Sequence, residues 1–517
     1  MSSLVQTSGA LTLFLLSTIA LVHRLHGRKS TAGKESIAIV VLGDVGRSPR
    51  MMRHALSFAD QQWYVSIFAY TDSKPPNALL QHPNIKLVNL AEFPDRISSL
   101  LPRIFFVLVI GPLKALYLSA SLAWALLFKA NQSSYIMVQN PPAIPTLPIV
   151  QLSRLMIGSK LIIDWHNTAY SILALKFRTE RHPMVRLAKW IEAKFGKHAT
   201  LHLFVTEAEK QALSEMWNLR GSKKVFYDRP PKSFCRLTVP EIHSFLSQSS
   251  FNYNSVLQQM FIGGELEKET ILSYEDPETK TAKMKADRPA LVVSSTSWTI
   301  DEDFSVLIDA LSMYARSKKS QKSIPKLLCL ITGKGPLKAH YLEIIERTSS
   351  EEGWKELGIV CQSVWFDDPE HYRQLLGAAD LGISLHQSSS GLDLPMKVVD
   401  MFGCRLPVCA RNFNCISELV KHGQNGLVFD SAVELSEQLK ELLTGFNPAR
   451  SMKELASSNS NSRTLKDLQT GIENAMYGAV LSTNDKDLDR LQSSGCRSWS
   501  CWEEEWNQQV FQTVQNL

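Results

Sequence analysis

From Ser36 onward, short β-branched apolar runs alternate with longer stretches of helical spacing. In the first half these runs lie at 37–42, 65–70, 85–87, 135–138, 160–164 and 201–205. Strands separated by helical patterns predict a parallel sheet covered by helices. Around 227–254 the rhythm dissolves into Asp-Arg-Pro-Pro, serines and short polar stretches. It restarts at 290–294 and continues at 327–332, 359–364, 381–385, 406–410 and 426–429. The economical expectation is two doubly wound α/β halves, 36–255 and 256–450, joined by a linker. Residues 274–288 are charged, lack an apolar stripe and predict an exposed loop. Residues 451–497 are rich in Ser, Asn, Lys and Asp and predict a flexible insertion. Residues 498–517 predict a terminal helix with Trp502, Trp506, Val510 and Val514 on one face.

Two further segments are apolar in a different way. Residues 4–22 are uncharged, and a helix of that length spans roughly 28 Å, about one hydrocarbon core. Arg24, Arg28, Lys29 and Lys34 follow, so residues 1–35 read as a membrane anchor with a basic flank. The positive-inside rule then places the rest of the chain in the cytosol. A cleaved signal peptide is the competing reading, but no basic residue precedes the run. The second segment, 104–128, is interrupted by Gly111, Pro112 and Lys114. A true crossing would separate the two halves, so the segment is expected to lie in the membrane interface. An ordinary pair of core helices is the alternative.

With 517 residues, the chain is too long for one core. A net charge of +6 without basic runs interleaved with aromatics gives no reason to expect nucleic acid. It suits an anionic membrane face or a phosphorylated ligand. None of the eight cysteines forms a Cys-x-x-Cys pair, which points to free thiols in a reducing compartment, not disulfides or zinc.

Candidate chemistry gathers at two loops. Gly43, Asp44, Gly46, Arg47, Ser48, Pro49 and Arg50 follow the first apolar run. That order reads as strand, tight loop and helix start. Glycines admit a ligand to the backbone, helix N–H groups favour an anion, and Arg47 and Arg50 add charge. The spacing is not that of a dinucleotide fold, and a tight turn without ligand is the alternative. The second loop runs from Ser388 through Gly391 to Pro395, with Lys397 and Asp400 in the helix that follows. Pro395 is expected in the first helical turn. Lys397 and Asp400 are three apart and share a face. Together they could grip a nucleoside diphosphate, the lysine on phosphate and the carboxylate on a ribose diol. A surface Lys–Asp pair is the alternative.

Segments 43–51, 164–167, 294–303, 391–403 and 419–429 together resemble the β-1,4-mannosyltransferase family of asparagine-linked glycosylation, glycosyltransferase family 33. The resemblance extends from Ser36 to about Phe446 and includes the end helix; 274–288 and the polar insertion depart from it. It implies a GT-B fold, two Rossmann-like domains facing each other across a cleft, the first for the acceptor and the second for the nucleotide sugar. It implies GDP-mannose as donor, no tightly bound cofactor, and a dolichyl-diphosphate chitobiose as acceptor. It also implies the cytosolic face of the endoplasmic reticulum membrane, with other lipid-linked oligosaccharide transferases as candidate partners. Metal dependence stays open.

A β-linkage from an α-linked donor inverts the anomeric carbon. The reaction needs a base and positive charge on the leaving diphosphate, but no covalent nucleophile. Lys397 and the Gly391 loop are leaving-group candidates, with Lys334 a second. Ser294 and the Ser/Thr-rich turn after it could bond phosphate. Asp301-Glu302-Asp303 imitates a metal cluster but precedes an apolar helix pattern, so helix-start charge is expected. For the base, His166 follows a strand at its carboxyl end; a structural histidine is the alternative. Asp44 is the second candidate, against a turn brace, and Glu207 a third. Two other functions compete: a GT-B transferase using another nucleotide on a membrane lipid, and an inactive membrane-anchored scaffold. Gly391, Lys397 and Asp400 argue against the scaffold.

Overall fold

The apolar runs of the first half become seven strands of one parallel sheet. The computed structural model describes residues 35–93, 110–130, 133–248, 255–264, 268–388, 390–444, 446, 465–477 and 502–517. The expected anchor at 4–22 lies outside them. The chain divides into two units, the first comprising Met1–Tyr227 and Trp506–Leu517, the second Asp228–Glu505. The division therefore falls at Tyr227/Asp228, not near 255.

In the first unit the strands are β1 (Ser36–Asp44), β2 (Tyr64–Tyr70), β3 (Ile85–Asn89), β4 (Tyr135–Asn140), β5 (Lys160–Trp165), β6 (His198–Phe204) and β7 (Arg220–Val225). Their order is β3-β2-β1-β4-β5-β6-β7. The winding reverses between β1 and β4, so the loops leaving these strands diverge and open a crevice there. The helices are α1 (Pro49–Asp60), α2 (Asn77–Leu80), α3 (Gly111–Lys129), α4 (Thr146–Ile157), α5 (Ala169–Phe177), α6 (Pro183–Phe195) and α7 (Glu207–Trp217). One face of the sheet, with Val40, Val138 and Ile163, packs against Leu126 of α3, Val150 of α4 and Ile191 of α6.

Gly111 and Pro112 do not break the second apolar segment. They start α3, where proline's fixed φ and missing N–H cost nothing. Leu122 and Leu126 are buried, so the described part of this segment is docked on the sheet. The terminal residues form Trp502–Trp506, a π-helical turn at Asn507–Phe511 and a last turn at Gln512–Gln515. Trp502, Trp506, Val510 and Val514 are all buried, as their spacing predicts. Trp506 meets Phe58 edge-on at 4.7 Å, and Tyr135 Oη donates to the Val514 carbonyl at 3.1 Å.

The second unit is built around six parallel strands: β10 (Ala290–Ser295), β11 (Leu327–Thr332), β12 (Ile359–Val364), β13 (Leu381–Ser384), β14 (Val408–Arg411) and β15 (Gly426–Phe429). Their order is β12-β11-β10-β13-β14-β15, so winding reverses between β10 and β13. Before them lie α8 (Val239–Leu246), α9 (Ser255–Phe261) and a hairpin of β8 (Ser273–Glu275) and β9 (Ala282–Met284). After β10 come α10 (Ser305–Ser320), α11 (Lys338–Glu352), α12 (Pro369–Ala378), α13 (Met396–Gly403), α14 (Ala432–Leu443) and α15 (Leu465–Tyr477).

Two expectations fail here. The stretch read as a linker belongs to this unit's core: Ile242, Phe245, Leu257 and Leu272 pack with Leu291 and Leu328. Residues 274–288 are not an exposed loop. Their charges are paired, Lys285 with Glu269 and Arg288 with Asp380, and that pairing permits burial. Within the polar stretch 451–497, α15 is folded and buries Leu468 and Ile472.

The end helix should be a structural keystone of the first unit. Trp506→Ala is expected to cost about 3–5 kcal/mol, as for other buried aromatics. Trp506→Phe, which strands the buried acceptor His54 Nδ1, should cost about 1–3 kcal/mol. Chemical denaturation of the two variants checks the order.

Candidate active site

The polar groups of the second unit converge where its winding reverses. Glu302, in the loop after β10, is buried. Its carboxylate accepts the Ser297 amide at 2.8 Å, the Thr296 hydroxyl, and Lys397 Nζ at 3.2 Å. Lys397 also donates to Ser297 Oγ at 3.2 Å. An ammonium has three hydrogens; these two contacts leave one for an anion. Asp400 lies one turn further along α13 and is half-buried.

Around this pair the loops are braced. His386, just past β13, bridges in backbone to Glu302. Its Nδ1 stands 3.4 Å from Asp301 Oδ2. The bond to His386 holds the Asp301 carboxyl at about 2 against the opposing pull of burial. Gly391 takes a left-handed φ of +70°, in a loop tied by Ser388 and Ser390 to the Asp393 carboxylate. Gly333 and Gly335 lie directly on the 296–298 loop. A Cβ at Gly333 would come within 1.9 Å of the Thr296 carbonyl oxygen, and one at Gly335 within 1.8 Å of that of Ser297.

Several expected residues stand elsewhere. Ser294 is inside β10 and buried, so Ser297, not Ser294, supplies the hydroxyl. The strand runs one residue longer than read. Lys334 does not join Lys397; its Nζ sits 4.1 Å from the Trp365 ring centroid. Pro395 is the N-cap of α13, not a first-turn residue. The acidic run has no common role. Asp303 accepts the Ser305 amide at 3.0 Å, as helix-start charge should, but Asp301 and Glu302 serve the loops. Sequence reasoning passed over His386, and it misread Glu302; a carboxylate facing a helix lysine a hundred residues away leaves no local signal.

The first unit has its own polar centre, on Asp164 at the end of β5. This carboxylate is fully buried. Arg50 grips it through Nε at 2.9 Å and Nη2 at 3.0 Å. His166 Nε2 lies 2.8 Å from Oδ2, and His54 Nε2 lies 3.4 Å from it. Burial pushes the Asp164 carboxyl up, but Arg50 and the two histidines outweigh it and hold it well below the ordinary value. His54 Nδ1 accepts the Trp506 indole N–H at 2.8 Å, which assigns its remaining proton to Nε2. By the same logic His166 carries its proton on Nε2, toward the carboxylate. That leaves Nδ1 as its lone-pair nitrogen. Arg50 is thus turned inward, and its charge does not serve an anion loop. Arg50 and His54 lie four apart on α1; that spacing, with an aspartate in an apolar strand, was the available signal.

Asn140, at the end of β4, holds the segment after β5 from two sides. Its carbonyl accepts the His166 amide at 2.9 Å, and its side chain donates to Glu192 at 2.8 Å. Glu192 also accepts the Ala169 and Tyr170 amides at the start of α5, at 2.6 and 3.1 Å. Burial pushes this carboxyl up to about 7, against the pull of those three bonds.

Asp44 is a brace. It accepts the Gly46 amide at 3.1 Å and the Ser73 amide at 3.1 Å, and its carboxyl is lowered chiefly by Ser73. A Cβ at Gly46 would come within 2.8 Å of Ser73, whereas one at Gly43 meets nothing. Gly43 belongs to β1, one step before the turn. Arg47 is exposed beside Asp44 at 3.4 Å. Glu207 opens α7 and pairs with Lys210 at 2.7 Å, a helix-start role.

Residues 289–445, which include Glu302, Lys397 and Asp400, match the family model described as glycosyl transferases group 1. A mouse protein named chitobiosyldiphosphodolichol β-mannosyltransferase is 41% identical over 445 residues, covering 86% of this chain and 89% of the relative. The chain belongs to the chitobiosyldiphosphodolichol β-mannosyltransferase family. An Arabidopsis thaliana relative, named UDP-glycosyltransferase TURAN, is 42% identical over 425 residues, covering 79% of this chain and 89% of the relative. Among solved structures, Anabaena Alr3699/HepE in complex with UDP and glucose shares the GT-B fold at 16% identity. Its TM-score is 0.55, and the match covers 93% of this chain and 100% of that one.

Glu192 gives the mannosyltransferase a measurable pH signature. Its folded value lies above the ordinary value of 4.5. The stability it contributes is therefore complete below about 4.5 and lost as pH rises through about 7, up to about 3 kcal/mol. Between pH 5 and 8, wild type should lose more stability than Glu192→Gln, in which nothing titrates at this position. Equal losses in paired denaturant titrations would contradict the assignment.

Proposed function

We propose that this chain transfers mannose from GDP-mannose to the chitobiose of a dolichyl-diphosphate acceptor, inverting the anomeric carbon to make a β-1,4 linkage. The observation that carries the reading is Lys397, held by buried Glu302 at the winding reversal of the unit that matches the glycosyltransferase model. The remaining hydrogen of its ammonium is suited to the charge that grows on a departing diphosphate. Asp400 is then the ribose contact, and the second unit is the nucleotide-sugar domain.

The first unit is the acceptor domain, with His166 as base. Asp164, kept ionised by Arg50, holds the imidazole through Nε2–H and leaves Nδ1 to take the proton of the acceptor hydroxyl. Asp44 is poorly suited, since its carboxylate is already satisfied by two backbone amides. A lipid-linked acceptor places the enzyme at the endoplasmic reticulum membrane, with 4–22 as anchor and both units cytosolic. Other transferases of the lipid-linked oligosaccharide are its natural partners. A scaffold would need neither the Lys397–Glu302 pair nor an oriented imidazole.

The name of the Arabidopsis relative favours a second reading, a uridine-diphosphate sugar as donor. Purified full-length protein assayed with GDP-mannose, UDP-glucose and UDP-N-acetylglucosamine on a short-lipid diphosphate chitobiose decides between them. β-Mannosylated product from GDP-mannose alone is expected; transfer from a UDP-sugar alone would overturn the donor assignment.

Lys397→Ala should lower kcat/KM by roughly 10²–10³-fold, the cost of about 3–4 kcal/mol of leaving-group stabilisation. Circular dichroism controls for the fold. His166→Ala should lower single-turnover rates by roughly 10²–10⁴-fold, while Asp44→Asn keeps near-normal chemistry. The opposite pattern would transfer the base to Asp44.

A further inference from the structure

Large apolar side chains that remain exposed are unevenly distributed. Of nineteen among the described residues, thirteen lie on four helices of the first unit: five on α3, two on α4, three on α5 and three on α6. Leu116 is 68% exposed, Leu155 71% and Trp190 57%. Single exposed apolar residues are ordinary, but a patch shared by neighbouring helices marks an interaction surface.

The fold makes the patch one face. The inward residues of these helices, Leu126 of α3, Val150 of α4, Ala169 of α5 and Ile191 of α6, all join one cluster on the same side of the first sheet. Their outward residues therefore look away from that side together. Helices α3 and α4 pack against each other, as do α4 and α6, and α5 and α6.

Charge identifies the occupant. Residues 111–129, 146–157 and 169–195 hold nine lysines and arginines against two carboxylates, Glu180 and Glu192. Glu192 is buried, and Glu180 pairs with Lys189 at 3.6 Å. Lys129, Lys176, Arg178, Arg181, Arg186 and Lys194 are exposed. Lys129 Nζ lies 4.9 Å from the Trp124 ring centroid. Exposed tryptophan and leucine among lysine and arginine, with almost no acid, is the composition of a surface that lies in an anionic lipid interface.

We propose that the outer face of α3, α4, α5 and α6 is a membrane-docking surface that seats the first unit on anionic lipid independently of the anchor at 4–22. This deepens the membrane reading above. Its test does not require transfer, so the two can fail separately. The helices lie on the bilayer and do not cross it, because their inner faces are committed to the sheet. Docking of this kind would hold the domain at a fixed height over a lipid-linked acceptor, where an anchor alone would leave it on a tether.

The tryptophans supply the probe. Among those described, Trp124, Trp190 and Trp365 are exposed, and the first two belong to this face. Trp63 is the first tryptophan of the chain, so the anchor contributes no signal. Full-length protein is reconstituted into phosphatidylcholine vesicles containing about a third phosphatidylserine, with brominated acyl chains as quencher. Wild-type fluorescence should be quenched. Trp124→Phe/Trp190→Phe should lose most of that quenching, and Trp365→Phe should not. Lys176→Glu/Arg178→Glu/Arg186→Glu should weaken it, with far-ultraviolet dichroism confirming the fold. Quenching that survives in Trp124→Phe/Trp190→Phe overturns the proposal. Absence of quenching in wild type also overturns it and reassigns the face to a protein partner.

Discussion

A carboxylate without access to water must be paired, and in the first unit that constraint fixes the geometry around Asp164. An unpaired charge there would cost several kcal/mol. Arg50 meets the need with a two-pronged grip and also reaches the Phe226 carbonyl at 3.0 Å. One guanidinium thus ties α1 to β5 and to the segment after β7. His54 extends the cluster to Trp506, so the last residues of the chain are held to its first helix. The second unit repeats the device. Asp380, ahead of β13, accepts Arg288 at 2.7 and 2.9 Å and the Leu291 amide at 2.8 Å. Removing one partner of such a pair is worse than removing both, which makes each cluster an all-or-none feature.

Both units also place their chemistry by the same topological rule. In a doubly wound sheet, two loops part only where the winding reverses. The β1 and β4 loops do so in one unit, the β10 and β13 loops in the other. Glu302 and His386 stand on the two parting loops of the second unit, joined by a backbone bridge; α13 follows the second loop and brings Lys397 back to the first. In the first unit Asn140 leaves β4 and fastens the residues after β5. Glycine enters where backbone must lie on backbone, at Gly333 and Gly335 against the 296–298 loop. Elsewhere the loops are held by carboxylates that collect amide and hydroxyl donors. The site parts are therefore rigid before any ligand binds, which is what transition-state electrostatics require.

Much of this was legible in the residues because parallel strands are buried on both faces and read as unbroken apolar runs. The alternation of strand and helix, the Gly391–Lys397 segment and the four-residue rhythm of the terminal helix all follow from local pattern. What was illegible depends on contacts distant in sequence. The stretch 228–288 looked like a linker because its core residues are scattered among charges whose partners lie elsewhere. Arg50 was visible as a charge beside a glycine loop, but nothing local told that it points inward to residue 164. Ser294 was misplaced by a strand that ends one residue later than expected. Lys334 sits in a glycine-flanked turn that packs on the right loop, yet its side chain finds an indole ring in place of Lys397.

The Asp164 cluster links stability to chemistry by a chain of proton positions. Trp506 donates to His54 Nδ1, so His54 stays neutral with its hydrogen on Nε2; burial lowers its basicity in the same direction. A neutral His54 adds no second positive charge, and Arg50 alone balances Asp164. Asp164 consequently remains an acceptor for His166, and His166 is confined to the tautomer with a free Nδ1. If His54 were charged, Asp164 would face two fixed cations and hold its bond to His166 less tightly. The tautomer of the proposed base is thus set by a tryptophan in the last dozen residues of the chain. That dependence gives a physical reason for the terminal helix to pack against the first domain. The residues that fix the fold of this unit and those that orient its base are one hydrogen-bonded set, so a change that loosens the end helix should disturb chemistry before it unfolds the sheet.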